Sequence, residues 1–335
     1  MGLVSPLVGR SIDRYGGRTI MVAGSGLIAL GCAALALVRE PWAYYVVWAE
    51  LGLAMRCTLY DAAFATLARI GGPDARRPIS QITLLGGLAS TVFWPIGHAL
   101  AEHFGWRGAV LAYAGFALLT VPLHLAIPSA RYGEQLGGEL AERPHLARSR
   151  SERWLAGGLY ALMVTLINVL NSGMSAHMIA LLGGLGLAAG VAVWVASLRG
   201  IGQSAARLCE VLFGARLHPL ALNLFAALLL PVGFAAGLLS GEALAAAIAF
   251  ALLYGAGNGL LSITRGTLPL ALFDHRTYGA LVGRLLVPSF LLAAVAPLGY
   301  AVVIERLGDI AALVLSVAIA LTTLAAAAAL KLRFR

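Results

Sequence analysis

The sequence has little charge. Of its 335 residues, 12% are Asp, Glu, Lys or Arg, against 60% that are hydrophobic. Charged residues make up about 25% of an ordinary soluble domain, which needs them to cover its surface. The shortage of charge therefore excludes an ordinary water-soluble protein.

The sequence also lacks the patterns that carry most enzyme chemistry. Its three cysteines, Cys32, Cys57 and Cys209, all fall inside apolar runs, which excludes a disulfide framework and metal-ligand spacing. No Gly-Lys-Ser/Thr phosphate loop, Ser/His/Asp set or paired carboxylates are present, so we expect no enzyme, no ATP hydrolysis and no cofactor or metal. No secretory signal peptide can be drawn at the start.

Long apolar runs are what the sequence does contain. The mean hydropathy is +0.87, and runs of roughly 20 residues, each long enough to cross a bilayer as a helix, recur along the chain. They lack the alternation of a membrane β-barrel, so we predict helices. Ten runs are predicted to span: 19–38, 42–67, 78–100, 108–127, 154–181, 187–208, 219–239, 243–273, 281–304 and 310–330.

Two polar stretches organise these runs. The turn 9–18 carries three arginines and one aspartate, and it follows an apolar segment, 1–8, that is too short to span. The stretch 128–153 is the longest hydrophilic segment and the natural boundary between two helical halves. We therefore predict an N-terminal half at 1–127, a central loop at 128–153 and a C-terminal half at 154–335.

In a membrane protein, the formal charge of +9 is explained by basic residues in the cytoplasmic loops. If the turn 9–18 faces the cytoplasm and the runs alternate, the outer loops hold only Arg39, Arg107 and Arg306, and the other loop arginines and lysines lie inside. This bias predicts a multi-pass protein of a bacterial inner membrane with a cytoplasmic central loop and C-terminus. It favours a lipid-bilayer partner over nucleic acid.

The turn itself resembles a known motif. Gly9, Asp13, Arg14, Gly16 and Arg18 form a Gly-x-x-x-Asp-Arg-x-Gly-x-Arg pattern between two spans. It is similar to the loop that joins helices 2 and 3 in transporters of the major facilitator superfamily.

Other stretches fit the same family. The pattern Gly-Trp-Arg at 105–107 resembles the start of its helix 6, and Gly-Asn-Gly at 257–259 resembles its helix 10. The resemblance implies an all-α integral membrane protein with two pseudo-symmetric helical halves, here ten full transmembrane helices and a stub. Family helix 1 and part of helix 2 have no counterpart, and we expect a late gene start to explain this.

The family implies a secondary active transporter, monomeric and working by alternating access with proton coupling or exchange. Its cargo is a small solute, with an organic anion favoured because an arginine in helix 8 resembles the monocarboxylate and oxalate/formate branch. A hydrophobic-drug exporter with an apolar pocket around Trp94 and Trp194 is the alternative. A transport-inactive membrane sensor or an intramembrane enzyme is the alternative of another class.

Ionisable residues in mid-membrane are the primary site candidates, since each costs about 2.5–3.5 kcal/mol to insert. Arg56 and Arg199 fall in family helices 4 and 8, which face the cavity from opposite sides, and two guanidiniums there suit a carboxylate. A structural pair of Arg56 with Asp61 or Glu50 remains open.

Further candidates are assigned by position in the expected cavity or at its cytoplasmic gate. Polar and aromatic residues expected to touch substrate are Tyr60, Asn168, Asn171, Trp194, Tyr254 and Asn258. Residues expected to couple or gate the cycle are Asp13, Arg14, Arg18, Asp61 and Arg265, with Asp13 facing the end of a second-half helix.

Overall fold

The computed structural model describes residues 1–87, 89–132, 145–214 and 217–334, and these form helices without a single strand. The helices are α1 (Ser5–Tyr15), α2 (Gly17–Leu37), α3 (Pro41–Thr58), α4 (Tyr60–Gly71), α5 (Arg76–Gly87), α6 (Ala89–Leu125), α7 (Arg150–Gly184), α8 (Ala189–Phe213), α9 (Pro219–Leu238), α10 (Leu244–Leu272), α11 (Tyr278–Leu285), α12 (Val287–Leu307) and α13 (Asp309–Arg333). The all-helical class expected from the sequence is confirmed.

The predicted turn at 9–18 is much tighter than expected. Helix α1 continues to Tyr15, and the chain reverses at Gly16, with φ 90° and ψ 159°. A side chain would be strained at this positive φ, which explains why glycine stands there. The charged residues of the motif therefore project from helix ends rather than from a loose loop.

The predicted span 42–67 is interrupted. Helix α3 ends at Thr58, Leu59 is extended with φ −78° and ψ −174°, and α4 begins at Tyr60. The break puts Arg56 in the last turn of α3 and Asp61 in the first turn of α4, the ends of a helix dipole that favour each charge. A single unbroken span was therefore the wrong prediction here.

The connection between the predicted spans 78–100 and 108–127 is also a reversal at a single glycine. Helix α6 changes direction at Gly105, which has φ 68° and ψ 171°. The long run at 243–273, in contrast, forms one helix, α10, with Pro269 near its end.

In the part of the chain that the structure describes, seven helical stretches are long and apolar enough to cross a membrane: Gly17–Leu37, Pro95–Leu125, Arg150–Gly184, Pro219–Leu238, Leu244–Leu272, His275–Leu307 and Asp309–Arg333. The number is lower than the ten predicted spans for identifiable reasons. One stretch crosses the bend at Gly105, α3 and α4 are separated at Leu59, and α8 carries charged residues in its second half.

The helices pack as two sets. Helices α1–α6 contact one another, chiefly around α2, and α7–α13 contact one another, chiefly around α10. We call these the first and second helix sets. The predicted central loop between them falls largely on residues 133–144, which lie outside the described residues.

The two sets meet through α1, α4 and α5 on one side and α8, α10 and α11 on the other. These contacts gather toward the end of the bundle that carries Gly16, the short 3₁₀ turn Gly72–Ala75 and the 3₁₀ turn His275–Thr277. We call this the basic end, because the charged turns lie there.

Candidate functional site

A polar group around Arg199 forms within the second helix set. Its guanidinium donates from Nη2 to Oδ1 of Asn171 and from Nη1 to Oγ of Ser175, the latter at 3.2 Å. The cation also lies over the ring of Tyr254, 5.0 Å from the centroid. Asn258 donates to the same Asn171 oxygen at 3.2 Å. The four predicted substrate contacts Arg199, Asn171, Tyr254 and Asn258 are thus brought together, and we call them, with Ser175, the Arg199 group.

The Arg199 group lies midway along the helices, with Arg199, Asn171 and Asn258 half-buried and Ser175 exposed. Arg199 is ten residues from the start of α8 and 14 from its end, so helix rise alone separates it from both ends by about 15–21 Å. Its partners come from α7 and α10. Gly255 allows this close approach, because an added Cβ would overlap the backbone carbonyl of Arg199.

The charge of Arg199 is not neutralised by an acid. Among the residues that the structure describes, no carboxylate lies within the 4.0 Å of a salt bridge from it, and its partners are neutral amide, hydroxyl and ring groups. Polar hydrogen bonds and a cation–π contact hold the guanidinium in place without consuming its charge. Such an arrangement can bind an anion, because part of the planar donor fork remains available.

The two helix sets are joined by an ion pair between Asp61 and Arg265. Nη2 of Arg265 donates to both carboxylate oxygens of Asp61, each at 2.7 Å. The two side chains are 10% and 22% exposed, so the pair is mostly shielded from water. Arg265 therefore binds Asp61 of the first helix set, and its side chain does not extend to the membrane interface.

Arg56 lies near this pair but outside it. It is 2% exposed, its Nε donates to Oγ of Ser5 at 2.8 Å, and its Nη1 has no hydrogen-bond partner among the residues that the structure describes. It forms no salt bridge with Asp61 or Glu50, so the structural pair left open from the sequence does not form in this conformation. Within the described chain, Arg56 and Arg199 share no hydrogen-bond partner.

Asp13 meets the N-terminus of α11. Its carboxylate oxygens accept the backbone N–H groups of Gly279 at 2.9 Å and Ala280 at 2.7 Å. These N–H groups belong to the first turn of the helix, where no intrahelical partner exists and the dipole favours negative charge. The sequence placed Asp13 at the end of a second-set helix, and α11 is that helix.

The other arginines of the motif make contacts within the first set. Nε of Arg18 donates to the carbonyl of Ile127 at 2.6 Å, beyond the end of α6. Arg14 is exposed and lies over the ring of Tyr15, 5.1 Å from its centroid. Arg69 donates to the backbone carbonyl of Asp13 at 2.7 Å, which braces α1 against α4.

Two arginines that link the sets were missed by sequence reasoning. Arg76, assigned to a loop, begins α5 and donates to the carbonyls of Gly214 and Leu217 at 2.8 and 2.6 Å, and it pairs with Glu210 at 3.5 Å. Arg207 was expected at the cytoplasmic end of the predicted span 187–208 and was not a site candidate, and it is 3% exposed inside α8.

Arg207 connects α8 to α10 and to the first set. It donates to Oγ of Ser262 at 2.9 Å and to the carbonyl of Thr83 at 3.2 Å. Tyr60, a predicted substrate contact, donates to the same Thr83 carbonyl at 3.2 Å and stacks on Phe64.

The remaining predicted contacts lie apart from the Arg199 group. Asn168 donates to Oγ of Ser289 on α12, and Trp194 is 52% exposed on α8. The side chain of Trp94 lies outside the described residues. In the described part of the chain, no three His, Cys, Asp or Glu side chains come together as metal ligands would.

Comparison with curated proteins gives a partial match to monocarboxylate transporters. The chain is 31% identical to mouse monocarboxylate transporter 4 over 140 residues, which is 40% of this chain and 28% of that protein. The rat protein of the same name is 29% identical over 153 residues, or 42% and 31% of the two chains. The matched region thus spans less than a third of the length of these relatives.

Solved structures share the fold at low identity. The human organic anion transporter MFSD10 (TETRAN) superposes with a TM-score of 0.73 and 19% identity, covering 97% of this chain and 80% of that one. The E. coli fucose:proton symporter FucP gives 0.70 and 14%, covering 99% and 88%. The proton:xylose symporter XylE gives 0.75 and 12%, covering 98% and 82%. The family match itself runs over residues 1–297, and the chain belongs to the Major Facilitator Superfamily.

Proposed function

We propose that this protein carries small organic anions, of monocarboxylate size, across a bacterial inner membrane by alternating access. Members of its family are transporters rather than enzymes. The observation that carries the anion assignment is the guanidinium of Arg199, held midway along α8 by neutral partners and without an acidic one among the described residues. The names of two relatives, a monocarboxylate transporter and an organic anion transporter, support the same class of cargo.

The substrate carboxylate is expected to take the open donors of Arg199, with Asn258 and the face of Tyr254 beside it. A bidentate guanidinium–carboxylate pair is stronger than a neutral hydrogen bond. Asn171 keeps the guanidinium oriented while the ligand binds. Asn168, Tyr60 and Trp194 contribute less, because their contacts in this conformation lie elsewhere.

Arg56 is proposed as a second anion contact in the opposite conformation. It is buried beside Ser5 with Nη1 unpaired, under the contact between α1 and α11. When the basic end opens, α1 and α11 separate, and the unpaired donor becomes reachable. The anion then passes from Arg199 to Arg56 as the binding site opens to the other side of the membrane.

The basic end is proposed to face the cytoplasm, so this conformation is open to the outside. Three contacts hold the end shut: Asp13 on the N-terminus of α11, Asp61 with Arg265, and Arg76 on the C-terminus of α8. Arg14 and Arg18 brace the turn from which Asp13 projects. Rocking of the two helix sets breaks these contacts and exposes the site to the cytoplasm.

The energy source is proposed to be a proton gradient or exchange against a second anion, since the sequence has no phosphate-binding loop. The unit of function is proposed to be the monomer. The two halves, 1–127 and 154–335, move as the rocking bodies about the connecting loop.

The test is uptake of radiolabelled lactate into proteoliposomes that contain the purified chain. Arg199→Gln is expected to lower the specificity for lactate at least tenfold, which corresponds to about 1.4 kcal/mol, and Arg199→Lys is expected to retain part of it. Arg306→Gln, on an exposed arginine at the opposite end of the bundle, is the matched control.

Two results would contradict the proposal. One is uptake by Arg199→Gln at the wild-type level. The other is wild-type transport of neutral sugars or hydrophobic cations with no competition from lactate, pyruvate or formate. The second result would favour the drug-export alternative.

A further inference from the structure

An unpaired carboxyl group lies within a predicted membrane span. Both oxygens of Glu50, on α3, are buried and have no hydrogen-bond partner among the described residues. Glu50 lies nine residues from the start of α3 at Pro41, about 13 Å of helix rise from that end. Helix α3 starts at the end of the bundle opposite the basic end.

The carboxyl group occupies a notch in the neighbouring helix. An added Cβ on Gly31 of α2 would overlap Oε2 of Glu50. The absence of a side chain at Gly31 thus makes the space that the carboxyl fills. This placement is specific packing rather than a side chain that extends toward headgroups.

Glu50 differs from the other acids within the helices. Asp61 pairs with Arg265, and Glu210 pairs with Arg76. Arg56, on the same helix and about 9 Å of rise further along, donates to Ser5 instead. A carboxylate without hydrogen bonds or a counter-charge in low-dielectric surroundings is strongly disfavoured relative to the neutral acid.

No basic group among the described residues forms a hydrogen bond or salt bridge with Glu50. Helices α1, α2 and α4 pack against α3. From α2 the thiol of Cys32 is close enough to interact electrostatically. The charged residues of α4 and α1, which are Asp61, Arg69, Arg10, Asp13 and Arg14, lie toward the basic end. The amino group of Met1 lies against Gly52, two residues along α3 from Glu50, and it forms no hydrogen bond with the Glu50 carboxyl group.

We propose that Glu50 is a proton-binding site of the transporter, protonated in the conformation that is closed at the basic end and loaded from the outer side. The proposal rests on the proposed function, and it names the group that takes the proton. Asp61 is committed to Arg265 in this conformation, whereas Glu50 is free to exchange a proton over a short distance from the outer end of α3. The bound proton removes the charge that the notch at Gly31 cannot stabilise.

Chemical labelling tests the protonation directly. An apolar carbodiimide reacts with a neutral carboxylic acid: the acid proton passes to a nitrogen, the carboxylate oxygen adds to the central carbon, and the O-acylisourea rearranges to a stable N-acylurea. Mass spectrometry of the full chain in liposomes is expected to find Glu50 labelled several-fold more at pH 6 than at pH 9. Glu102, an exposed carboxyl group of α6 close to the bend at Gly105, serves as the unlabelled control. Absence of label on Glu50 at every pH would overturn the proposal.

Transport in the same liposomes tests the coupling. Glu50→Gln is expected to abolish lactate accumulation driven by a pH gradient and to leave lactate counterflow within about twofold of wild type, and Glu102→Gln is expected to change neither. Accumulation at the wild-type level in Glu50→Gln would refute the assignment, as would loss of counterflow in a folded variant. If the wild-type chain neither accumulates nor exchanges lactate, the proposed function fails for this probe, and the labelling still decides the state of Glu50.

Discussion

Asp61 and Arg265 lie 204 residues apart in the sequence and meet through two hydrogen bonds of 2.7 Å from one guanidinium nitrogen. One residue belongs to each helix set, and both side chains are mostly buried. Any movement that opens the basic end must separate them. The pair is therefore expected to contribute to the balance between the two conformations, not only to folding.

Removing one partner of this pair is expected to favour opening of the basic end. Asp61→Asn and Arg265→Gln should each lose about 1.5–3 kcal/mol of the energy that holds the end shut. The opening is measured by placing a cysteine beneath the contact and following its rate of reaction with a maleimide. The double variant should lose less of the closing free energy than the sum of the losses in the two single variants.

Reversal of the pair, Asp61→Arg with Arg265→Asp, is expected to restore closure only in part. The new arginine would lie near Arg56, and the two like charges would repel. Full restoration, or single variants that react like wild type, would contradict the role of the pair as a gate.

Asp13→Asn is expected to lower transport with little loss of folded protein. The amide can accept from only one of the two N–H groups of α11 and brings no negative charge to the helix dipole. Uptake into proteoliposomes and thermal unfolding in detergent measure the two effects. An unchanged uptake rate would count against a gating role for the motif.

Gly9→Ala is expected to prevent full closure. A Cβ on Gly9 would overlap the backbone carbonyl of Gly279, which is too rigid to move aside, and overpacking of this kind costs about 1–3 kcal/mol. Gly26→Ala is the matched control, because no atom lies within 4 Å of a Cβ added there. Equal maleimide reactivity in the two variants would show that α1 and α11 need not touch.

Arg76→Ala is expected to weaken closure at α5 and α8, whereas Arg77→Ala is not. Arg76 donates to two carbonyls past the end of α8 and neutralises Glu210, which would be left buried and unpaired. Arg77 is exposed and carries the same charge. The conformational equilibrium and the thermal stability of the two variants are measured. A change in Arg76→Ala alone indicates the local contact, whereas equal changes in both indicate a general effect of lost charge.

His218 is expected to make stability fall with acidification. Burial, and secondarily the charge of Arg76, lowers the pKa of His218 below its ordinary value of 6.5. The unfolded chain therefore takes the proton first, so the free energy of unfolding is highest above pH 6.5 and falls as the pH drops below it.

The same protonation removes the acceptor that Nδ1 offers to the N–H of Leu220 at the start of α9, at 3.3 Å. His218→Asn keeps a side-chain acceptor at this N-cap and does not titrate. Its thermal stability should lose the dependence on pH below 6.5 that wild type shows. The same dependence in both proteins would remove His218 as the cause.

Several structural features were predictable because their signals are local. Apolar runs predicted helices, and the glycines of the charged turn and of the Gly-Trp-Arg stretch marked reversals that the structure places at Gly16 and Gly105. The break at Leu59 has no such signal, because neither glycine nor proline stands beside it. It separates α3 from α4, and only the packing of both helices reveals it.

Partner choice among the charged residues was the least predictable part of the site. Arg56 contacts Ser5 in this conformation rather than pairing with Asp61 or Glu50, and its role in binding substrate with Arg199 stays a prediction. Arg76 was expected in a loop and Arg207 at the end of the predicted span 187–208, and both join the helix sets. Each outcome depends on which helix of the other set lies opposite, which no spacing within one run encodes.

The sequence by itself determined that this protein is a helical membrane protein of a transporter family, because hydropathy over about 20 residues and a short glycine and charge motif are properties of the local chain. The tertiary structure alone decided which buried charges are neutralised. Asp61 has Arg265, Arg199 has neutral partners, and Glu50 has none in the described chain. In a low-dielectric interior the energy of a charge depends on groups within a few ångströms, and those groups come from helices far apart in sequence.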